Sequence, residues 1–482
     1  MMKTTGIDAI SFYVPSIYVD MEDLAEARNI AFAKLNKGLG LNKMAFADAN
    51  EDAASFAANA LFNLITENDI NPRSVGRIYL GTESALDASK PTCTYAVEVV
   101  EQELTEKFGE RCFKNCDVVD MTFACVGAVD ALQNCIDWVN GGSNRNAIVI
   151  ASDLAKYELN SGGEYTQGAG SVALLVKENP SIISFSSSWG VASKSVGDFF
   201  KPRRHYDKSE MLKAAADLLG SDISSKQAKK IIDRTTSDFW SNSNKSFELF
   251  KEEPIFDGPY SNLCYQERID EALDHFKSQQ QTNFLRDWQF LVFHLPYAFQ
   301  GRRMITKNWV EWLKENQALN LLTDEIGDFD EEDSSNWYKK ASKSSLYRTF
   351  VEQRIEPGEK ASSEIGNMYT ASIFMSLLSL LNYAVESKIQ IAGNKVGFLS
   401  YGSGSKSKVF QGSIESSWKK KLINSNLFST LNNRTKISIS TYESLHKNEA
   451  GKPVISDNYI KLSNIENGPL NLGLRKYSRT NE

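Results

Sequence analysis

Histidine and cysteine are scarce in this chain, and basic residues are not in excess. Four dispersed histidines (His205, His275, His294, His446) and six cysteines (Cys93, Cys112, Cys116, Cys125, Cys135, Cys264) occur in 482 residues. That density excludes a disulfide framework. Cys112 and Cys116 are spaced C-x3-C, but no second ligand pair follows at zinc-site spacing, so no metal or redox cofactor is expected. Lys and Arg total 54 against 61 Asp and Glu, a net charge of −7, which argues against a nucleic-acid partner. No apolar run reaches the length of a membrane-spanning helix. The N-terminus leads straight into an expected strand, Gly6–Val14, with no apolar leader or cleavage site. A cytoplasmic chain with reduced thiols and no membrane partner is expected.

What is present is ordinary globular composition, 41% hydrophobic and 24% charged, at a length that suits two or three domain-sized units or one duplicated body. Short apolar runs alternate with longer amphipathic ones. Strands are predicted at Arg77–Leu80, Asp117–Met121, Ala147–Ala151, Ser171–Val176, Phe290–His294 and Val396–Ser400. Helices are predicted at Ala53–Glu67, Cys93–Phe108, Val126–Val139 and Met368–Glu386. This alternation is the pattern of an α/β fold with strands buried on both faces. The stretch from Arg203 to about Glu252 is rich in Lys, Asp, Ser and Asn and lacks strand signals, so it reads as a helical surface insertion. The acidic segment Asp324–Asp333 reads as a solvated loop.

Several strands end in small or polar residues, and sites in α/β sheets form at such strand ends. Val118–Ala128 runs from a buried strand through a sharp turn that presents Cys125 at the start of a helix. Backbone N–H groups and the positive end of the helix dipole favour thiolate there. A core cysteine that fills space fits this segment alone equally well. Glu83 lies just past one strand, within Gly81–Asp87, and His294 at the end of another. Taken singly they read as a solvated turn residue and a satisfied buried histidine. Together, a thiol, a carboxylate and an imidazole at strand ends can support acyl transfer with carbon-acid chemistry. Cys125 and Ser403 follow strands in comparable positions, one in each half, which hints at duplication.

Further segments make the pattern specific. They are Gly81-Thr82-Glu83-Ser84 with Asp87 and Ser89-Lys90, Ala124-Cys125, and Ser161–Gly170. They continue through Asp198-Phe199-Phe200-Lys201-Pro202, Asp257-Gly258 with Cys264-Tyr265, and His294-Leu295-Pro296-Tyr297. Gly366-Asn367-Met368-Tyr369-Thr370 and Ser400-Tyr401-Gly402-Ser403-Gly404 complete the series. In this order they resemble the 3-hydroxy-3-methylglutaryl-coenzyme A synthase family of the thiolase superfamily.

The resemblance implies a layered α-β-α-β-α fold of two related halves, residues 1–177 and 178–482, with the insertion at about 203–252. A C-terminal extension from about residue 426, with closing strands at Lys436–Ser440 and Tyr459–Leu462, is expected to pack on the body. It implies condensation of acetyl-CoA with acetoacetyl-CoA in the mevalonate pathway, by a homodimer, with coenzyme A entering only as part of the substrates. Cys125 would be acetylated, Glu83 would act as general base, and His294 would polarise the acetoacetyl unit. Asn367 would hydrogen-bond the second substrate, Thr166 would line the acyl pocket, and Asp198 and Tyr297 would orient the site. The Cys125 N–H and one from the Gly402-Ser403-Gly404 turn would form the oxyanion hole. Family members often carry a lysine five residues after the histidine to meet coenzyme A phosphate. Here Phe299 stands there, and Arg302 or Arg303 would supply the charge. Two other readings stay open: a β-branching synthase acting on a carrier-protein-bound β-ketoacyl chain, and a catalytically silent scaffold of the same fold.

Overall fold

The order of elements repeats along the chain. The computed structural model describes residues 4–241, 244–423 and 425–479. The first half contains β1 (Thr5–Tyr13), α1 (Ala53–Glu67), β2 (Val75–Gly81), α2 (Thr92–Glu103), β3 (Asp117–Met121), α3 (Gly127–Asn140), β4 (Asn146–Ala155) and β5 (Gly168–Glu178). The second contains β6 (Ile183–Ser193), α4 (Gly258–Gln279), β7 (Phe290–Phe293), α5 (Ser372–Glu386), β8 (Lys395–Gly402) and β9 (Lys406–Ile414). The nine strands form one ladder in the order β7-β8-β9-β6-β1-β5-β4-β2-β3. Each half pairs alike: β2 is parallel to β4 and β4 antiparallel to β5, as β7 is parallel to β8 and β8 antiparallel to β9. The halves meet where β1 and β6 pair at Gly6–Ser184 and Ile7–Ile183.

Side-chain alternation along the strands divides the core into layers. Phe290 and Val292 of β7 join one apolar cluster, and Leu291 and Phe293 join another. On β4, Val149 and Ala151 face one way while Ile148 and Ile150 face the other. The shared cluster contains Val129, Leu132 and Ile136 of α3 together with Ile373, Leu377 and Leu381 of α5, packed on strands from both halves. Helix α5 is apolar around almost its whole circumference, as a helix covered on all sides must be. Helices α1 and α2 cover the outer face of the first half and α4 that of the second, giving the expected α-β-α-β-α order.

Helix α1 spans the predicted residues and starts at a reciprocal Asp52–Ser55 capping box. The predicted Cys93–Phe108 helix breaks at Leu104 into two pieces. Strand β9 escaped prediction because its polar residues are buried rather than exposed, and β6 because the serine run Ser186–Ser188 interrupts its apolar residues. Gln411 accepts from the Trp288 indole at 2.9 Å, and Lys408 pairs with Asp130 of α3 at 2.7 Å. The hinted equivalence of Cys125 and Ser403 is corrected. Cys125 follows β3, an edge strand with no counterpart in the second half. Ser403 follows β8, whose counterpart is β4.

Residues Phe199–Asp257 form a separate compact unit. The predicted helices are there (Lys208–Leu218 and Ser225–Arg234), but so are two antiparallel pairs, Arg204–Asp207 with Ser246–Leu249 and Phe199–Phe200 with Ile255–Phe256. These strands are too short to leave a periodic signal. Among the described residues, no helix is long and apolar enough to cross a membrane.

The C-terminal stretch returns to the first half. Of the predicted strand Lys436–Ser440 only Lys436 is extended, within Thr435–Lys436, which pairs with Ile17–Tyr18. The chain then forms helix α6 (Ile439–His446), with Ser438 as its cap. Strands β10 (Ile460–Ile465) and β11 (Arg475–Arg479) lie on α1 and α2. The buried Lys461 ammonium pairs with Glu51 at 2.6 Å and donates to the Tyr13 hydroxyl at 3.1 Å. Lys461→Met would strand the Glu51 carboxylate beneath this hairpin. The expected loss is about 3–5 kcal/mol of stability, read as a lowered urea midpoint.

Candidate active site

The nucleophile candidate is made by a strained turn. After β3 the chain reverses through Ala124, whose φ is +37°, and Val126 N–H donates to the Phe123 carbonyl at 3.0 Å before α3 begins. This projects the Cys125 thiol to 2.9 Å from Glu83 Oε1. Cys125 is 7% exposed. From the second half, Gly402 presses on the same turn. A Cβ there would lie 2.8 Å from the Phe123 carbonyl oxygen and 2.9 Å from Val126 N, so only glycine fits.

Glu83 is aimed by a residue that no motif revealed. Asp153, fully buried at the end of β4, accepts from the Thr82 hydroxyl (2.9 Å), the Glu83 N–H (2.8 Å) and the Ser84 hydroxyl (2.9 Å) through Oδ1. Its Oδ2 accepts from the N–H of Thr370 in the second half at 3.0 Å and from the Thr370 hydroxyl. The signal was an acidic residue inside the apolar run Ile148–Ala155.

The second half contributes His294, Asn367 and Ser403. His294 is buried, and its carbonyl accepts from the Tyr265 hydroxyl at 2.7 Å. Burial depresses its imidazole pKa to about 3, only partly offset by the Tyr369 backbone, so the ring is neutral at physiological pH. Its Nδ1 has no hydrogen-bond partner. Asn367 is fixed by Gly366, whose φ is +86° and whose absent Cβ would overlap the Gln167 carbonyl. The Asn367 Oδ1 accepts from Tyr369 N–H (2.8 Å) and the Ser372 hydroxyl (3.2 Å). That fixes the amide orientation and leaves its NH2 for a ligand.

Asp198 is also fully buried and holds the Ser403 turn. It accepts from Gly404 N–H (2.7 Å), the Tyr401 hydroxyl (2.7 Å) and the Ser261 hydroxyl (3.0 Å). The Gly404 N–H is thereby committed, and Ser405 N–H donates to Lys194. Of the donors expected from this turn, Ser403 N–H is the one left for an oxyanion.

Two tyrosines complete the wall. Burial raises the Tyr157 pKa, and the charges of Cys125 and Glu83 raise it further. Tyr369 is raised well above its ordinary value by burial, then by Tyr157, Glu83 and Cys125. Both phenols therefore stay protonated. The Thr166 hydroxyl meets Tyr157, and the Thr166 carbonyl accepts from Asn367 N–H at 3.0 Å. Tyr297 stands farther out beside Tyr165, with the Arg303 guanidinium 5.5 Å from its ring centroid.

The phosphate-binding expectation needs a correction. Arg302 Nε lies 3.1 Å from both oxygens of buried Glu359, and its guanidinium lies 3.9 Å from the Phe299 ring centroid, so its charge is already matched. Arg303 donates to the Gly38 carbonyl and hydrogen-bonds Tyr297, and no ion pair with a carboxylate is seen for it among the described residues. Among the described residues, no cluster of three or more His, Cys, Asp or Glu side chains could hold a metal.

Asp153→Asn would replace one accepting oxygen with a donor facing donors. Misplacing Glu83 in this way is expected to lower kcat by about 10²-fold with little change in the KM for acetyl-CoA, checked by steady-state kinetics.

Comparisons with known proteins identify the family. Models of the hydroxymethylglutaryl-coenzyme A synthase N-terminal and C-terminal regions match residues 1–181 and 234–467. The hydroxymethylglutaryl-CoA synthase of Enterococcus faecalis is 30% identical over 92% of this chain and 91% of its own length. The solved structure of MvaS in complex with 3-hydroxy-3-methylglutaryl coenzyme A is 27% identical, covers all of both chains and has a TM-score of 0.75. The HMG synthase of the curacin biosynthetic pathway, 19% identical, covers 99% of this chain and 100% of its own, with a TM-score of 0.72, and shares the fold. The chain belongs to the hydroxymethylglutaryl-CoA synthase family, condensing enzymes with a thiolase-like fold.

Proposed function

We propose that this chain condenses acetyl-CoA with acetoacetyl-CoA and water to give 3-hydroxy-3-methylglutaryl-CoA and CoA, in the mevalonate route to isoprenoids. The observation that carries the reading is the half-buried 2.9 Å contact between Cys125 Sγ and Glu83 Oε1. Cys125 attacks the acetyl carbonyl, its S–C bond forms, the C–S bond to CoA breaks, and CoA leaves as a thiol. Glu83 then removes a methyl proton from acetyl-Cys125. The enolate carbon attacks the ketone of acetoacetyl-CoA, and Glu83 returns its proton to the new alkoxide. Water cleaves the remaining thioester to free the product carboxylate and the thiol.

A methyl proton is a poor match for a carboxylate, so the enolate oxygen must be stabilised. The N–H groups of Cys125 and Ser403 serve that oxygen, each worth about 3–4 kcal/mol in such sites. His294 acts as a neutral ring, hydrogen-bonding the acetoacetyl unit as a dipole rather than as a charge. The Asn367 amide NH2 binds the same substrate. No cofactor is required beyond the coenzyme A that the substrates bring. The phosphates of that coenzyme meet Arg303 and Lys34, an exposed lysine 5.3 Å from the Tyr165 ring centroid. The enzyme works as a cytoplasmic homodimer. The half-buried Val118 and Val119 on edge strand β3 support association with a second copy.

Intact-protein mass spectrometry tests the reaction. Acetyl-CoA should add one acetyl group to Cys125, and the adduct should disappear as product forms when acetoacetyl-CoA is added. Cys125→Ala should take up no acetyl group, and Glu83→Ala should acetylate but not condense. An adduct discharged only by an acetoacetyl carrier protein would establish the β-branching reaction instead. Arg303→Ala should raise the KM for acetyl-CoA roughly tenfold or more, the worth of one charged hydrogen bond, with kcat nearly unchanged.

A further inference from the structure

Tyr157 closes the wall beside Cys125 and Glu83, and its aim is set from the far end of the chain. Both of its backbone groups are held. Its N–H donates to Gln167 Oε1 at 2.6 Å, and its carbonyl lies 2.7 Å from Nε2 of His446 on α6. The other end of the Gln167 amide donates to the Tyr442 hydroxyl at 2.8 Å, one turn earlier on the same helix. Tyr442 in turn lies 3.1 Å from Oε1 of Glu164, whose Oε2 accepts from Asn160 N–H at 2.8 Å. Helix α6 thus holds the 157–167 loop at Tyr157, Asn160, Glu164 and Gln167.

The helix is itself seated firmly. Tyr442 is fully buried and meets Phe46 edge-on at 5.0 Å, while His446 stacks on the same ring at 6.1 Å. Arg28 joins the assembly from the N-terminal region, pairing with Glu164 at 2.8 Å and with Glu443 of α6 at 2.7 Å. Gly163 lies against the Tyr157 ring so closely that a Cβ there would be 2.2 Å from Cδ1. The ring has no slack in which to re-aim if its backbone shifts.

We propose that His446 and Tyr442 are positioning residues of the reaction, acting through Tyr157 and Gln167 on the acyl wall, so that α6 is a functional part of the active site. The proposal rests on the synthase reading above. Neither side chain touches the reacting atoms. Their contribution is to hold the Tyr157 hydroxyl and Thr166 where the enolate and the incoming ketone must meet, and small misplacements there cost rate steeply. Binding of coenzyme A depends on cations outside this network, so the effect falls on kcat and spares KM.

Three variants of the full-length protein test this, with the melting temperature, kcat, the KM for acetyl-CoA and Cys125 acetylation measured for each. His446→Leu removes the donor to the Tyr157 carbonyl, His446→Gln restores an N–H at that point, and Tyr442→Phe removes a single hydroxyl. His446→Leu should lose at least about tenfold in kcat with the KM within about twofold, and His446→Gln should recover most of that loss. Tyr442→Phe should lose kcat in the same sense while staying folded, and it decides the matter if His446→Leu does not fold. Variants that melt earlier but keep wild-type kcat would overturn the proposal, as would a His446→Gln no better than His446→Leu. A wild-type protein that takes up no acetyl group would overturn the synthase reading and the proposal together. Wild-type acetylation with unimpaired variants would overturn the proposal alone.

Discussion

The buried Asp153 carboxylate is the constraint on which the rest of the site depends. It draws donors from the Glu83 turn onto one oxygen and donors from Thr370 onto the other. Burying a carboxylate is tolerable only when such donors saturate it, and the demand for saturation fixes where both segments lie. Thr370 belongs to the same short turn as Tyr369 and follows the Gly366–Asn367 approach to Gln167 and Gly168. One acceptor therefore sets the Glu83 turn and the Asn367–Thr370 segment in a common frame. Asp198 does the same for the Ser403 turn.

Duplication explains the scaffold and leaves the chemistry asymmetric. Both halves repeat strand, helix, parallel strand and antiparallel strand, with α3 and α5 packed between them. The repeat is broken at β3, because the second half carries helices between residues 300 and 365 at the corresponding place in the chain. Cys125 follows the strand without a counterpart. The Cys125 thiol thus arises where the halves differ, and the turn after β8 closes over it, with Gly402 pressed against the Phe123–Val126 backbone.

The sequence revealed residues whose chemistry is unusual for their position. A cysteine at a strand-to-helix turn, a glutamate past a strand and a histidine ending an apolar run stand out without any knowledge of neighbours. Asp153 and Asp198 are both fully buried among hydrogen-bond donors, but only Asp198 belonged to a segment that drew attention. The buried polar residues of β9 and the serine run of β6 hid those strands, because hydropathy cannot distinguish a polar side chain facing water from one bonded inside a core. Arg302 and Arg303 are adjacent and chemically identical in the sequence. What separates them is Glu359, a carboxylate more than fifty residues away that neutralises one and not the other. The contact of His446 with Tyr157 was likewise invisible, since the two lie almost three hundred residues apart.

Electrostatics gives the assembled site a single purpose. Burial keeps the His294 ring neutral, and burial together with nearby negative charge keeps Tyr157 and Tyr369 protonated. Around Cys125 and Glu83 the walls are therefore dipoles that neither gain nor lose protons over the physiological range. Fixed dipoles in a dry cavity stabilise charge as it develops on an enolate or alkoxide, without the reorganisation that water would require. They also leave one carboxylate, Glu83, as the group able both to take a proton and to return it, which is what the proposed reaction asks of it.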